Sequence, residues 1–394
     1  MGGWIQKRVD GTRVAMASLR GTPMPEILHA IFGHLEDDAR SLWNCALTCR
    51  YWLPVSRDHL FQTIDLSSRR TARFAALLQR SPHLGQHVKR FSVVILSETD
   101  ARYVSLIAPS LGSVSRLCLH YQAHSLFDKG PDVSSEDGVP LPAPCNLAAI
   151  GPVQELQISG NGHYNTMMVA TVLDNFPHVQ KFAWSRDASA SLADAQPLAE
   201  ILTHIPLKYL QASGLGACET LAYCFCLAAP AELEHLEFSY TLVRDVEHRA
   251  LAAILLVVGS SLKTLAIGFN GVPSNAPAAL EWDQYLDSCP RLEYLQFTLS
   301  RSLHLVAIAG LLSRLFSPCL QQIDLNMSGY NASDEGYLQS IVELLEDLRR
   351  FPALETVVVK TRGSVSSQTD PVWDEISRIL APLRAMGIMI LNNS

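Results

Sequence analysis

The segment Leu292-Glu293-Tyr294-Leu295-Gln296-Phe297 shows the pattern that decides the fold: an apolar residue, then apolar residues three and five positions later. Ten further segments have the same pattern. They are residues 88–93, 114–119, 153–158, 179–184, 207–212, 233–238, 262–267, 320–325, 354–359 and, more weakly, 385–390. Successive segments are separated by 26 to 39 residues. A recurring period of this length is typical of repeat proteins.

An apolar helical stretch and a break precede these segments. One example is Leu251, Ile254, Leu255 and Val258 before Gly259. Neither a short strand nor a single helix can bury its own apolar residues, but stacked units share one continuous core. The array, residues 67–394, resembles leucine-rich repeats of the longer, helix-containing kind. The resemblance implies an α/β solenoid with parallel strands on the concave face and helices on the convex face.

Residues that alternate with the apolar positions of the strands are expected on the opposite, outer face of the sheet. Arginine, histidine and lysine occupy the first third of this row, while tyrosine and acidic residues occupy its middle. Our hypothesis is that a protein target lies there, with the tyrosines as anchors and the basic end holding an acidic or phosphorylated segment. A merely solvated sheet is the open alternative. The candidate target-binding residues are Arg90, Arg116, His120, Lys181, Tyr209, Glu237, Tyr294 and Asp324.

Residues 23–66 contain more apolar side chains than a small helical core needs. A first helix is expected to begin at Pro25, where a missing amide donor costs nothing. A second helix is expected after residues 36–38, with Ser41 a possible cap. A third is expected from about Leu53 to Asp58, before an extended segment at 61–66. The apolar surplus, assigned to Ile27, Phe32 and Leu47, requires a partner outside this segment.

This segment resembles the F-box. The resemblance rests on Pro25-Glu26-Ile27-Leu28, Ile31-Phe32, Leu35, Cys45-Ala46-Leu47-Thr48-Cys49-Arg50-Tyr51-Trp52 and Phe61. It implies binding to the small Skp adaptor and, through it, to a cullin ubiquitin ligase, with the repeats holding the ligase's substrate. The residues that the resemblance assigns to adaptor binding are Pro25, Ile27, Leu28, Ile31, Phe32, Leu35, Leu42, Leu47 and Trp52.

Composition limits the other possibilities. A net charge of −7 argues against nucleic acid as the main partner. The longest apolar run, residues 250–258, is too short to cross a membrane. Nine cysteines without Cys-x-x-Cys spacing, and no leader-like segment, suggest reduced thiols in a cytoplasmic or nuclear protein. We expect disorder in residues 1–22 and in a surface loop at 128–144, where either a phosphosite at Ser134 or Ser135 or a plain insertion fits.

No catalytic motif was found, and neither a cofactor nor a metal site is predicted. The pairs His83/His87 and His120/His124 have helical spacing but no convincing third ligand. We therefore expect a non-enzymatic substrate receptor. Two alternatives remain: a leucine-rich-repeat interaction scaffold with a degenerate F-box and no ligase role, and an enzyme whose site is hidden in the repeats. The apolar surplus favours the receptor over the scaffold.

Overall fold

The structure is a computed structural model that describes residues 25–122, 147–161, 166–186, 195–228, 230, 232–240, 245–269, 286–300, 304–328, 335–347, 349–362 and 371–393. The chain divides into two compact units between Gln62 and Thr63. We call them the helical unit, described from Pro25 to Gln62, and the repeat unit, described from Thr63 to Asn393. The arm predicted at 1–22 and the loop predicted at 128–144 lie outside the described residues.

Helices make up the first unit and connect the strands of the second. The helices are α1 (Pro25–Gly33), α2 (Ala39–Thr48), α3 (Trp52–Gln62), α4 (Ser68–Arg80), α5 (Glu98–Ile107), α6 (Thr166–Asp174), α7 (Gln196–His204), α8 (Leu215–Leu227), α9 (Asp245–Val258), α10 (His304–Arg314), α11 (Glu335–Glu346), α12 (Pro371–Ile379) and α13 (Ala381–Ala385). Short 3-10 helices include Pro82–His87, Ala108–Ser110, Gly259–Ser261 and Leu286–Ser288.

The described strands of the repeat unit form one parallel sheet. They are β1 (Thr63–Leu66), β2 (Arg90–Ile95), β3 (Arg116–Gln122), β4 (Glu155–Asn161), β5 (Lys181–Arg186), β6 (Tyr209–Ser213), β7 (His235–Tyr240), β8 (Thr264–Phe269), β9 (Tyr294–Leu299), β10 (Gln322–Ser328), β11 (Thr356–Arg362) and β12 (Met389–Asn393). Their order in the sheet is their order in the chain, and β1 and β12 are the two edges. The predicted α/β solenoid is confirmed.

The apolar pattern of the sequence fixes which face of the sheet is buried. Leu117 of β3 is aligned with Leu156 of β4, which is aligned with Phe182 of β5, and all three are fully buried. Helix residues such as Val104 of α5 are buried as well, so strands and helices share one core. In β2, β3 and β9 the alternate strand residues are half-buried or exposed, which gives the sheet one covered face and one outer face.

A ladder of backbone hydrogen bonds joins neighbouring repeats just before each strand begins. In each case an amide donates to the carbonyl of the equivalent residue one repeat earlier, at 2.8–3.0 Å. The residues joined in this way are Lys89, Ser115, Gln154, Gln180, Lys208, Glu234, Lys263, Glu293, Gln321 and Glu355. The ladder satisfies polar backbone groups that the turn would otherwise leave unpaired.

Adjacent repeats approach so closely at some turns that only glycine fits. A Cβ atom added at Gly259 would lie 2.6 Å from both the carbonyl oxygen and the hydroxyl of Ser288 in the next 3-10 helix. A Cβ atom at Gly85 would lie 2.1 Å from the carbonyl oxygen of Ser110. These glycines set the spacing between successive turns.

Several boundaries differ from those expected from the sequence. Helix α3 is longer than predicted, because Pro54 lies in its first turn, where the amide needs no helical partner. The extended segment expected at 61–66 begins at Thr63 instead, and residues 63–66 pair with β2 as the first strand of the sheet. Helix α2 is capped by Asp38 rather than Ser41, since the Asp38 carboxylate accepts the Ser41 amide at 3.0 Å.

The last strand is shifted by one residue from its predicted phase. The sequence analysis placed Ile390 on the core side, but Met389 is aligned with the buried Val357, and Ile390 is half-exposed. Gly387 adopts a positive φ of 76° after α13, and β12 begins two residues later. The position of this turn therefore determines which residues of β12 face the core.

Candidate functional site

The helical unit has a small core of its own. Leu28 and Phe32 of α1, Leu42 of α2 and Val55 of α3 are buried and pack together. The ring of Phe32 meets Trp52 edge-on, with ring centroids 5.7 Å apart. These contacts stabilise the arrangement of the three helices.

This core corrects one part of the sequence analysis. Phe32, assigned there to the apolar surplus, is only 1% exposed and belongs to the unit's own core. Leu28 and Leu42, predicted to contact an adaptor, are also buried in the core. The run of apolar residues in α1 explains the error, since Leu28 and Phe32 share one face while Ile27 and Ile31 share another.

A second set of large apolar side chains is exposed. Ile27 and Ile31 lie one turn apart on α1, and Trp43 and Leu47 lie one turn apart on α2. Their exposed fractions run from 50% to 70%. We call these four residues the apolar pairs. Trp43 is absent from the set of adaptor-binding residues predicted from the sequence. Its position four residues before Leu47 nevertheless indicates that the two side chains share one face of the helix.

The other predicted adaptor residues are less exposed. Leu35 and Trp52 are partly buried and pack against the core of the helical unit. Pro25 begins α1, and its side chain lies outside the described residues. Of the predicted set, Ile27, Ile31 and Leu47 therefore offer the most surface to a partner.

The family comparison covers this part of the chain. The model of the F-box-like family matches residues 25–67. Residues 25–67 form an F-box-like module. The match accounts for about a tenth of the chain and extends through β1. The F-box-like module thus carries both the small core and the apolar pairs.

The comparisons with curated proteins and with solved structures do not extend the family match. No curated protein matches the sequence. Among solved structures, a chain in the crystal structure of the Rad7 and Elc1 complex in yeast matches with 13% identity and a TM-score of 0.35. The match covers 88% of this chain and 91% of that chain. A TM-score this low supports no inference from one chain to the other.

On the outer face of the sheet, the predicted basic end includes a carboxylate. Arg90, Arg116, Glu155 and Lys181 follow one another in register on β2 to β5. Glu155 forms ion pairs with both Arg116 and Lys181, the latter at 3.0 Å. Burial alone would raise the pKa of Glu155, but hydrogen bonds and charges from Lys181 and Arg116 outweigh it and lower that pKa. The positive charge at this end is therefore partly neutralised.

His120 lies on the same face, four residues after Arg116 on β3. Its Nδ1 is 2.6 Å from the hydroxyl of Ser159, the aligned residue on β4. Arg90 is exposed. The four predicted basic residues are therefore on the outer face. Among the described residues, Arg116 and Lys181 form ion pairs with Glu155, whereas Arg90 and His120 form none.

The middle of the outer face is organised around Glu237 on β7. Its Oε2 accepts the hydroxyl of Tyr209 at 2.6 Å, and its Oε1 accepts the Gln211 amide at 3.0 Å. Both donors lie on β6. Burial, followed by the hydrogen bond to Glu237 and the charge of Glu237, raises the pKa of Tyr209. The hydroxyl therefore remains a donor at neutral pH.

Tyr294 on β9 and Asp324 on β10 lie two and three strands further on. The Tyr294 hydroxyl donates to Oε1 of Gln296 at 3.0 Å. Burial and then the charge of Asp324 raise the pKa of Tyr294. Asp324 is itself buried and paired with Lys360 at 2.8 Å. Asp324 thus offers little surface to a ligand, whereas Glu237 has no lysine or arginine partner in the described part of the chain.

The predicted target-binding residues therefore fall into two groups on one face. Arg90, Arg116, His120 and Lys181 lie on β2 to β5, while Tyr209, Glu237, Tyr294 and Asp324 lie on β6 to β10. Within the described ranges, no cluster of three or more metal-ligating side chains occurs, and no helix is long and apolar enough to cross a membrane. The outer face is accordingly a polar surface with one basic and one acidic region.

Proposed function

We propose that this protein is the substrate-recognition subunit of a Skp/cullin/F-box-type ubiquitin ligase and has no catalytic activity of its own. The proposal rests on the exposure of the apolar pairs. They lie on an F-box-like module whose core is formed by other residues. Side chains of this size, left at 50% to 70% exposure, favour a partner that covers them.

The adaptor is the partner that the F-box-like match suggests. Fully burying a side chain such as isoleucine or leucine contributes about 1.5–3 kcal/mol. Because the four side chains are 50% to 70% exposed, covering them would contribute about 3–8 kcal/mol in total. This gain offsets a large part of the cost of association, about 4–15 kcal/mol. The polar outer face of the repeat unit would hold a protein target. Tethering a target beside the ligase raises its local concentration near the transfer site.

Co-purification with a Skp adaptor tests the proposal. The full chain and adaptor are co-expressed, and the stoichiometry of the complex is measured by size exclusion. We expect a one-to-one complex with the native chain and loss of binding with the double variant Ile31→Asp, Leu47→Asp. Both positions are exposed, so the variant should keep its circular dichroism spectrum.

Leu106→Asp is the matched control, because Leu106 is a comparably exposed leucine on α5 of the repeat unit. It should bind the adaptor as well as the native chain does. Absence of binding by the native chain would overturn the proposal and favour the repeat scaffold without a ligase role. Unchanged binding by the double variant would overturn the assignment of the apolar pairs.

A further inference from the structure

Strand β8 has the smallest outer side chains in the middle of the sheet. Ala266 and Gly268 face outward there, between Glu237 and Ser239 of β7 and Gln296 and Thr298 of β9. The low floor creates a depression of about 100 Å³, which we call the β8 trough. By volume it holds about three water molecules. It is one strand wide and open to solvent.

Glycine is required to keep one end of the trough open. A Cβ atom at Gly268 would lie 2.9 Å from the hydroxyl oxygen of Ser239 and would occupy the floor. The walls carry groups that accept hydrogen bonds, namely the Glu237 carboxylate and the hydroxyls of Ser239 and Thr298. The Thr298 hydroxyl already accepts the Gln296 and Asn326 amides at 3.4 Å. The trough therefore has polar walls over a floor of Ala266, Ile267 and Gly268.

The charge of the trough is negative. Strands β6 to β9 contain neither lysine nor arginine, so no basic residue on them neutralises Glu237. Lys263, at the turn before β8, is paired with Glu234 at 3.3 Å. His235 stacks obliquely with Tyr209, with ring centroids 6.2 Å apart. A cationic group is the complementary ligand for a fixed carboxylate of this kind.

We propose that the β8 trough binds the side chain of a lysine presented by a target protein. The inference rests on the proposed function, because it names the chemistry of the target that the repeat unit would hold. Both oxygens of Glu237 already accept a donor, from Tyr209 and from Gln211. A bidentate arginine fork would have to displace these donors, whereas an ammonium needs one remaining acceptor site on the carboxylate.

The shape of the trough favours lysine for a second reason. A linear methylene chain fits a groove one strand wide, and its ammonium can donate to the Glu237 carboxylate and to the hydroxyl of Ser239 on the same strand. A planar guanidinium is wider and would need a broader floor. Tyr294 lies on β9, next to β8, and Tyr209 lies on β6, two strands from β8; the backbone of the target would pass along these strands.

Peptide binding tests the inference on the full chain in complex with the adaptor, or on the full chain alone. The probe is a library of short peptides whose central residue is lysine, acetyl-lysine, arginine or norleucine, with uncharged residues randomised on both sides. Fluorescence polarisation measures affinity. We expect the best lysine peptides to bind at least about tenfold more tightly than their acetyl-lysine, arginine and norleucine counterparts.

Two variants and one control complete the test. Glu237→Gln retains the shape of the side chain and removes its charge, and Gly268→Ala fills the floor; each should weaken lysine-peptide binding about tenfold or more. Glu293→Gln changes an exposed acidic residue at the turn before β9 and should leave binding unchanged. Because the glutamine variant is nearly isosteric, a folding failure of the alanine variant would still leave a decisive result.

Equal binding of lysine and acetyl-lysine peptides, tighter binding of arginine peptides, or no binding of any peptide would each overturn the inference. Unchanged binding by Glu237→Gln would do the same. Adaptor binding is measured on the same preparations. Adaptor binding without lysine selectivity would contradict only the proposal that the β8 trough binds lysine. Lysine selectivity without adaptor binding would contradict only the proposed role in a ubiquitin ligase.

Discussion

Neighbouring residues of α1 have opposite environments. Phe32 is buried in the core of the F-box-like module, while Ile31 is half-exposed one position earlier. Truncating the ring of Phe32 would remove core contacts, whereas truncating Ile31 would remove surface that only a partner uses. The structure thus separates residues that stabilise the module from residues available for binding.

Glu155 provides a prediction at the same scale. Its lowered pKa means that the carboxylate contributes stability at pH values above its unfolded pKa, near 4.5, and loses it as pH falls through the folded value. Glu155→Gln should therefore reduce stability at pH 7 and have a smaller effect at pH 3.5. Because Arg116 and Lys181 are 44% and 55% exposed, the difference should stay below about 1 kcal/mol.

Urea midpoints at both pH values measure this effect. Glu98→Gln is the control, since Glu98 pairs with Arg102 one turn away on the same helix and both side chains are more than half exposed. An equal loss of stability at pH 7 and pH 3.5 for Glu155→Gln would contradict the prediction.

Some of these residue environments followed from the sequence and others did not. The alternation of Leu117 and Leu119 with polar residues predicts their burial, because one face of a strand is covered. The run from Ile27 to Phe32 has too many apolar residues for periodicity to choose a face. The β8 trough depends on Ala266 and Gly268 lying beside Glu237 and Gln296, and that alignment joins residues about 30 positions apart in the chain.

At the scale of elements, the turns between repeats limit which residues fit. The 3-10 helices Gly259–Ser261 and Leu286–Ser288 meet where Gly259 faces Ser288. The spacing is set by backbone atoms of the second turn, which cannot move without disturbing the hydrogen bonds that follow it. Substitution at such a contact displaces a whole repeat rather than one side chain.

Gly259→Ala should therefore lower the apparent unfolding midpoint, with a cost of about 1–3 kcal/mol from overpacking. Gly336→Ala is the control, because nothing lies within 4 Å of an added Cβ atom at that position on α11. The control should be neutral or stabilising by up to about 1 kcal/mol. Thermal denaturation measures the unfolding midpoint of both variants. A midpoint for Gly259→Ala equal to that of the control would refute the steric argument.

At the scale of the whole molecule, the two units differ in the size of their cores. The helical unit buries four apolar residues together, supported by a few partly buried ones. The repeat unit extends one core along a sheet of twelve strands. A unit of about 40 residues with so small a core is only marginally stable by itself.

We therefore expect amides of α1 to α3 to exchange with solvent faster than those of β3 to β10. A Skp adaptor at a hundredfold excess over its dissociation constant should add about 2.7 kcal/mol of protection to α1 to α3. Hydrogen exchange followed by mass spectrometry measures both effects. The variant Leu47→Asp should gain no protection, and full protection of α1 to α3 before the adaptor is added would contradict the prediction.

The identity between strand order in the sheet and strand order in the chain has a consequence for synthesis. Each strand pairs first with the one made before it, and the turn ladder bonds each repeat to its predecessor. A newly synthesised repeat can therefore pack on the preceding repeat, and this packing does not require a segment that is synthesised later. Of the described strands, β1, Thr63–Leu66, is therefore the first available for pairing during synthesis, and β12 is the last.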